Sequence, residues 1–419
     1  MTSRPTDATP VEDVQPRFRP YTAKSVEPWE EFAHDRARCP VARNAELEAV
    51  QVSTYQGVKE VLAASQTWSS ALGNIWPLKE PLPPEEQVLG WADPPRHTRQ
   101  RKLLVKALSA SRIQNMRPFS ERFADDLIDE LADRGSFEMY GDFAARMAAG
   151  HVCELLGVPE GERDEYARSA QRMEELVTET MDGRAEGGYG AELNEWLDYL
   201  SGMIRAKRAA GPGSDDLITQ LSFAQVDGDY FEVGEIARVI QLVNVAGIGT
   251  TIGAIGNTAC LLDRYPEQKA RFLSDIEGLA LSLASESLRF ESPISGLWRT
   301  CAKPTRLGDL DVEPGEKAFA VISSGNHDPL VFDRPDEFII ERDWANLPTD
   351  LPFGQGIHFC VGMNLARLEI QVAAAKLYQR MPGLRVRPGF EPELVPGAVL
   401  RRFKTLEMVF DAPALPRRT

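Results

Sequence analysis

Phe353-Gly354-Gln355-Gly356-Ile357-His358-Phe359-Cys360-Val361-Gly362 is a glycine-rich loop that carries a cysteine and runs into an apolar-periodic segment, residues 361–381. That periodicity predicts a helix. Cys360 then lies at a helix N-terminus, where unpaired N–H groups and the helix dipole favour a thiolate over a thiol. Gly354, Gly356 and Gly362 permit conformations and close approaches that a Cβ would forbid. The residues alone leave three readings: a preorganised thiolate facing something large and flat, an inert helix-start cysteine, or part of a zinc site with His358. Zinc takes four ligands, usually in close pairs. No Cys-x-x-Cys occurs in the chain, which argues against zinc.

The pattern Phe-x-x-Gly-x-x-x-Cys-x-Gly, filled by Phe353, Gly356, Cys360 and Gly362 with His358 two before the cysteine, resembles the haem-binding loop of the cytochrome P450 family. The resemblance implies haem b with Cys360 as its iron ligand. Phe353, Gly354, His358 and Gly362 would then shape the cofactor pocket.

Composition sets the frame. The 419 residues are long for one domain, yet no linker, repeat or low-complexity tract divides them. The expectation is a flexible polar arm over residues 1–20 and a single domain over residues 21–419. Hydrophobic residues make up 43 %, enough for a sizeable core. A net charge of −16 argues against nucleic-acid binding, which needs a basic stripe. The five scattered cysteines fit a reducing cytoplasm better than a disulfide framework. The first 20 residues lack the apolar run of a signal peptide. Residues 239–262 carry no charge and could span a bilayer by length. Their glutamine, two asparagines, paired threonines and four glycines point instead to a buried helix in a protein that uses no membrane.

Taken in order, residues 29–37 predict a helix, residues 47–53 alternate like a strand, and residues 55–64 return to helical spacing. Residues 69–90 dissolve into prolines and isolated large apolars; so long a loop is functional or disordered, and Trp76 and Leu78 are expected to line a pocket. Helices follow over 113–131, 143–156, 162–181 and 191–209, the last two flanking a glycine-rich connection, 182–190, of lid character. A long central helix covers 231–262 and another helix 280–290. Residues 304–323 read as short strands about a Glu-Pro-Gly-Glu turn. Residues 384–386 and 406–410 read as terminal strands, with a hairpin tip at 397–400 placed to touch a substrate. The class is mainly α with a small β region (α+β). The resemblance sharpens it to the cytochrome P450 fold, a triangular helix-rich domain with haem between the central helix and the cysteine-bearing helix.

Further residues join the resemblance. His97 and Arg101 share one face of a basic helix ending near Leu108 and resemble the family's His-x-x-x-Arg propionate contact. Arg299, after Trp298, matches another propionate-holding position. Ala246-Gly247-Ile248-Gly249-Thr250-Thr251 lies inside the central helix. Its two glycines cost about 1 kcal/mol each relative to alanine, which predicts a kink or the close approach of a flat ligand. The hydroxyls of Thr250 and Thr251 either serve that ligand or bond back to their own helix. The stretch resembles the family's oxygen-activating Ala-Gly-x-(Asp/Glu)-Thr-Thr, with Gly249 where the acid is expected. Glu286 and Arg289, with Arg342, resemble a structural Glu–Arg–Arg network.

The implied function is a haem-thiolate monooxygenase, a cytoplasmic monomer that hydroxylates or O-dealkylates a small or medium apolar or aromatic substrate. Ferredoxin and ferredoxin reductase would deliver electrons from NAD(P)H, docking at Lys102, Lys106 and Arg112. Val245, Ala246, Ile248, Ile294, Leu297 and Val399 are the expected pocket residues besides Trp76 and Leu78. The wording of residues 289–293 and 366–369 resembles aromatic-acid-oxidising members. Because Gly249 cannot titrate, slow or leaky O2 turnover and a peroxide-driven cycle are expected. Alternatives are a peroxygenase, a nitric-oxide-reductase-like enzyme or a catalytically silent haem-thiolate partner.

Overall fold

The helix Val233–Arg264 runs through the middle of the molecule and packs against Ala145–Leu156, Arg163–Met181, Gly190–Ala210 and Met363–Arg380. The computed structural model describes residues 15–20, 27–72, 83–181, 190–226, 228–348, 351–395 and 397–417. The position of the central helix follows from its sequence: it is apolar on nearly every face, as a helix surrounded by other elements must be. Ile236, Ile240, Ile248, Ile252, Ile255 and Leu262 are all buried. Among the described helices it is the one long and apolar enough to cross a bilayer, and 67 % of its most apolar window is buried inside the protein. At residues 246–251 the sequence allows a kink or a close approach. The backbone stays α-helical through residues 246–251, and Thr250 Oγ1 donates to the Ala246 carbonyl (2.7 Å). The glycines serve close approaches instead.

A five-stranded sheet stands at one side, in the order Val41–Asn44, Ala49–Val52, Lys317–Ala320, Leu297–Cys301, Trp68–Ser69. All neighbours are antiparallel except Ala49–Val52 and Lys317–Ala320, which run parallel. Two of these strands, Val41–Asn44 and Leu297–Cys301, have no clear alternation in sequence. Leu297–Cys301 holds a buried arginine, Arg299, between Trp298 and Thr300, so polar and apolar residues are buried alike. The helices Leu217–Phe223 and Pro266–Ser274 likewise go beyond the sequence reading. The terminal strands Arg385–Val386 and Glu407–Val409 pair with each other, and Ser136–Glu138 adds a third strand.

Residues 15–20, expected in the flexible arm, are packed. Phe18 is 2 % exposed and stacks on Phe319, while the Arg17 and Phe18 N–H groups donate to the Asp35 carboxylate. Trp76, Leu78 and residues 182–189 of the glycine-rich connection lie outside the described residues.

Candidate active site

The cysteine loop is shaped by local chemistry. Gly354 and Gly356 have φ of 77° and 68°, which glycine adopts without strain, and a Cβ on Gly356 would lie 2.8 Å from Ala63 Cα. Gly362 has an ordinary φ of −88° and caps the helix Met363–Arg380. The Cys360 N–H donates to the Phe353 carbonyl (2.8 Å), closing the loop. Burial pushes the Cys360 thiol above its ordinary value, while N–H groups of Gly362 and Met363 and the charge of Arg101 pull it down. The preorganised hydrogen bonds are present, but they do not ionise the sulfur against its burial. A bound cation does so outright.

Cys360 opens onto a cavity of about 330 Å³ between the central helix and the cysteine helix. Ala246, Gly247, Thr250 and Thr251 line it from the central helix, Ile294 and Leu297 from the segment entering the sheet, and Arg101, Phe353, Gly354, His358 and Gly362 from the cofactor-facing side. Three expected pocket residues sit elsewhere. Ile248 is fully buried in the core, off the helix face that Ala246, Gly247 and Thr250 present to the cavity. Val399 is 3 % exposed and belongs to a cluster with Trp298 and Phe319, so the hairpin tip packs into the sheet rather than over the cavity. Val245 lines a smaller cavity of about 60 Å³ with Val88, Trp91 and Leu242. Helical periodicity explains the split: residues 246, 247 and 250 share one face, and 245 and 248 point off it. Gly249 also faces away, towards the helix Arg163–Met181, where a Cβ would overlap Glu174 Oε1 and lie 2.7 Å from its Cδ.

Four cationic or donor groups gather at the cofactor-facing side. The His97 and His358 rings are 4.4 Å apart, and none of their nitrogens makes a hydrogen bond of ordinary geometry. Burial drives His358 down to about 3, reinforced by the charges of Arg299, His97 and Arg101. Arg299 is lowered to about 10 by burial, with Asp93 opposing; its Nη1 donates to the Trp298 carbonyl (2.7 Å). Arg101 is lowered by burial, with Cys360 opposing. Buried charge without a partner is costly, and among the described residues no carboxylate pairs with Arg101 or Arg299. The arrangement is built for an anion.

A family model described as Cytochrome P450 matches residues 282–382. Cytochrome P450 107B1 of Saccharopolyspora erythraea is 37 % identical over 295 residues, 70 % of each chain. The cytochrome P450 monooxygenase PikC of Streptomyces venezuelae is 31 % identical over 393 residues, 91 % of each. The chain belongs to the cytochrome P450 family. Among solved structures, CYP109Q5 from Chondromyces apiculatus gives a TM-score of 0.81 at 28 % identity, over 94 % of this chain and 97 % of that one. The fold is therefore the P450 fold, the enzyme is a P450 monooxygenase, and its cofactor is haem b bound through a cysteine thiolate. The residues present fit that group. Of the five cysteines only Cys360 lines the cavity, and the unpartnered ring nitrogens of His97 and His358, beside Arg101 and Arg299, are a donor set that would suit the two carboxylates of a haem.

Away from the haem pocket, the P450 carries a charge network. Glu286 is fully buried and takes a bidentate contact from Arg289 (2.8 and 2.9 Å), both contacts of Arg342 Nε (3.1 Å) and the Ile339 N–H (2.8 Å). Arg289 and Arg342 spend their remaining donors on carbonyls, including those of Asn326, Pro335, Asp333 and Arg334. Two carboxylates near residues 249–251 were invisible to motif reading. Glu369 accepts from Thr251 Oγ1 (3.3 Å), and burial holds its carboxyl well above the usual range. Burial likewise lowers His151 to about 4, so a neutral ring lies 3.4 Å from Glu369. Glu174 is the second. The sequence signal for both is an acid inside an otherwise buried helix face, beside Ala170, Met173 and Val177 or beside Leu368, Ile370 and Val372.

Proposed function

We propose that Cys360 is the haem ligand, that His97, Arg101, His358 and Arg299 hold the propionates, and that this P450 monooxygenase oxidises a neutral, apolar substrate by hydroxylation or O-dealkylation. What supports the reading is the apolar cavity above Cys360, with Arg101 and His358 on its lining and the His97 ring packed against His358. Haem bound through a thiolate supplies the cleavage of O2 and the transfer of one oxygen atom to a C–H bond.

The chain's own residues set the conditions. Ala246, Leu242, Val243, Ile294 and Leu297 form an apolar wall that orients substrate by shape and excludes water. The Thr250 hydroxyl spends its proton on Ala246 and leaves its lone pairs to accept from water or substrate in the cavity. Thr251 is engaged by Glu369. Haem retention tests the anion-binding group. A hydrogen bond to a charged group is worth about 1.5–3 kcal/mol, so Arg299→Leu should speed haem loss to an apo-globin acceptor roughly 10- to 150-fold. Loss at the wild-type rate would remove Arg299 from the set.

Once Arg101 and His358 are assigned to the cofactor, no cation remains among the described lining residues to receive a substrate carboxylate. That disfavours an aromatic acid and favours uncharged ring systems. In a spin-state titration, steroid and macrolide probes should give the low-to-high-spin shift and aromatic acids none; a response to aromatic acids alone would reverse this assignment.

Electrons are proposed to arrive from NAD(P)H through ferredoxin reductase and ferredoxin. Lys102 and Lys106 are exposed on one helix face with Val105 between them, suited to an acidic carrier. Arg112 is instead paired with Asp215 (3.1 Å). A peroxide-driven reading leaned on the missing acid at 249. Glu369 and Glu174 lie beside that stretch. Product from NADPH, ferredoxin and O2, compared with peroxide alone, separates the two, and no product in either marks a silent ligand binder.

A further inference from the structure

We propose that Glu174 is a proton-relay residue for oxygen activation, so that the carboxylate missing from the central helix at Gly249 is supplied by the neighbouring helix Arg163–Met181; this rests on the monooxygenase reading above. Glu174 is 1 % exposed. Its Oε1 sits where a Cβ of residue 249 would be, immediately before Thr250 on the cavity wall. A side chain at 249 would require the Glu174 carboxylate to move from its present place. The other close glycines of this helix admit neutral neighbours. Gly247 faces Val152, Gly253 faces Pro293 and Arg402 Cβ, and Gly256 faces Tyr140. Among these glycines, a carboxylate meets the helix at 249 alone.

Its carboxylate has two side-chain partners. Thr178 Oγ1 donates to Oε1 (2.8 Å), and Arg402 Nη1 reaches the two oxygens at long distance (3.4 and 3.3 Å). The carboxylate is thus shared between a hydroxyl of its own helix and one guanidinium. Arg402 is 18 % exposed, so its side gives a route to solvent. The step is a proton transfer only: the Glu174 carboxyl gives a proton to water beside Thr250 and regains one from solvent past Arg402, with no net change in Glu174.

Substrate-free turnover reads this directly. With NADPH, a plant-type ferredoxin and its reductase, incomplete proton delivery gives O2 + NADPH + H⁺ → H2O2 + NADP⁺. Complete delivery gives O2 + 2 NADPH + 2 H⁺ → 2 H2O + 2 NADP⁺. In the haem-loaded protein, Glu174→Gln should raise the share of O2 released as peroxide several-fold and increase the solvent isotope effect on NADPH consumption. Moving the acid, with Glu174→Ala and Gly249→Asp together, should return both towards wild type. A packing readout is independent of turnover: Gly249→Ala should lower Tm, and Glu174→Ala combined with it should recover the loss. The proposal is overturned if Glu174→Gln leaves the peroxide share and isotope effect unchanged. It is equally overturned if Arg402→Met matches Glu174→Gln and the moved acid restores nothing, which would make the pair purely structural. A wild-type protein with the thiolate CO band but no ferredoxin-driven NADPH consumption would overturn the monooxygenase reading together with it.

Discussion

Cys360→Ser should abolish oxygen insertion while leaving a folded, partly haem-loaded protein. Serine keeps the loop's size and the N–H groups of Gly362 and Met363, but a neutral hydroxyl cannot push electron density onto iron as a thiolate does. No other cysteine can take over. Cys39 and Cys153 are pushed up to about 11 and about 12 by burial, Cys260 and Cys301 are also raised, and none of the four lines the cavity. On the proposed assignment, His97, Arg101, Arg299 and His358 alone would then hold the haem. Product formed per minute from NADPH and O2 should fall to the no-enzyme background, whereas Cys153→Ser should retain full activity. Residual turnover in Cys360→Ser, or its loss in Cys153→Ser, would relocate the ligand.

The second large effect is structural. Glu286→Ala leaves the buried guanidinium of Arg289 and that of Arg342 without their shared carboxylate. Breaking a buried ion pair by removing one partner costs about 3–5 kcal/mol, a large part of a total stability of roughly 5–15 kcal/mol. The variant should show a urea midpoint lowered in proportion, with little change in m, and a poor yield of haem-loaded protein. Glu286→Gln, which keeps the shape and one acceptor, should fall in between. The stakes extend beyond the three residues. Arg289 also ties down the Asn326 and Pro335 carbonyls, so the network joins the helix Ile276–Phe290 to the loop region after the short helix Ile322–Gly325. A midpoint within about 1 kcal/mol of wild type would mean the two arginines find other partners, against the usual cost of an unpaired buried charge.

The cofactor end of this molecule was legible because its chemistry is local in sequence. Cys360 and its glycines are set by one loop, and His97 and Arg101 by one helical turn. The Glu286–Arg289 pair needs only an i, i+3 spacing. Helix existence was equally readable, since long apolar periods dominate the chain. What escaped depends on which side of a helix faces which neighbour. Val245 and Ile248 are apolar and flank the cavity-lining stretch, yet 3.6-residue periodicity turns them off its face. Val399 was placed there by a hairpin tip that instead packs beneath Trp298 and Phe319. Gly249 shows the same limit most clearly. Alone it reads as a missing acid, but across the interface Glu174 occupies its absent side chain. A gap in a motif and its filling can lie 75 residues apart in the chain, and only packing brings them together.

The most direct measurement is the absorption spectrum of the reduced protein under carbon monoxide. A haem held by the Cys360 thiolate gives the strongly red-shifted Soret band of thiolate ligation in the wild-type chain, and that band is lost in Cys360→Ser. A wild-type band at the shorter wavelength of imidazole-ligated haem, or a red-shifted band that survives Cys360→Ser, would contradict it.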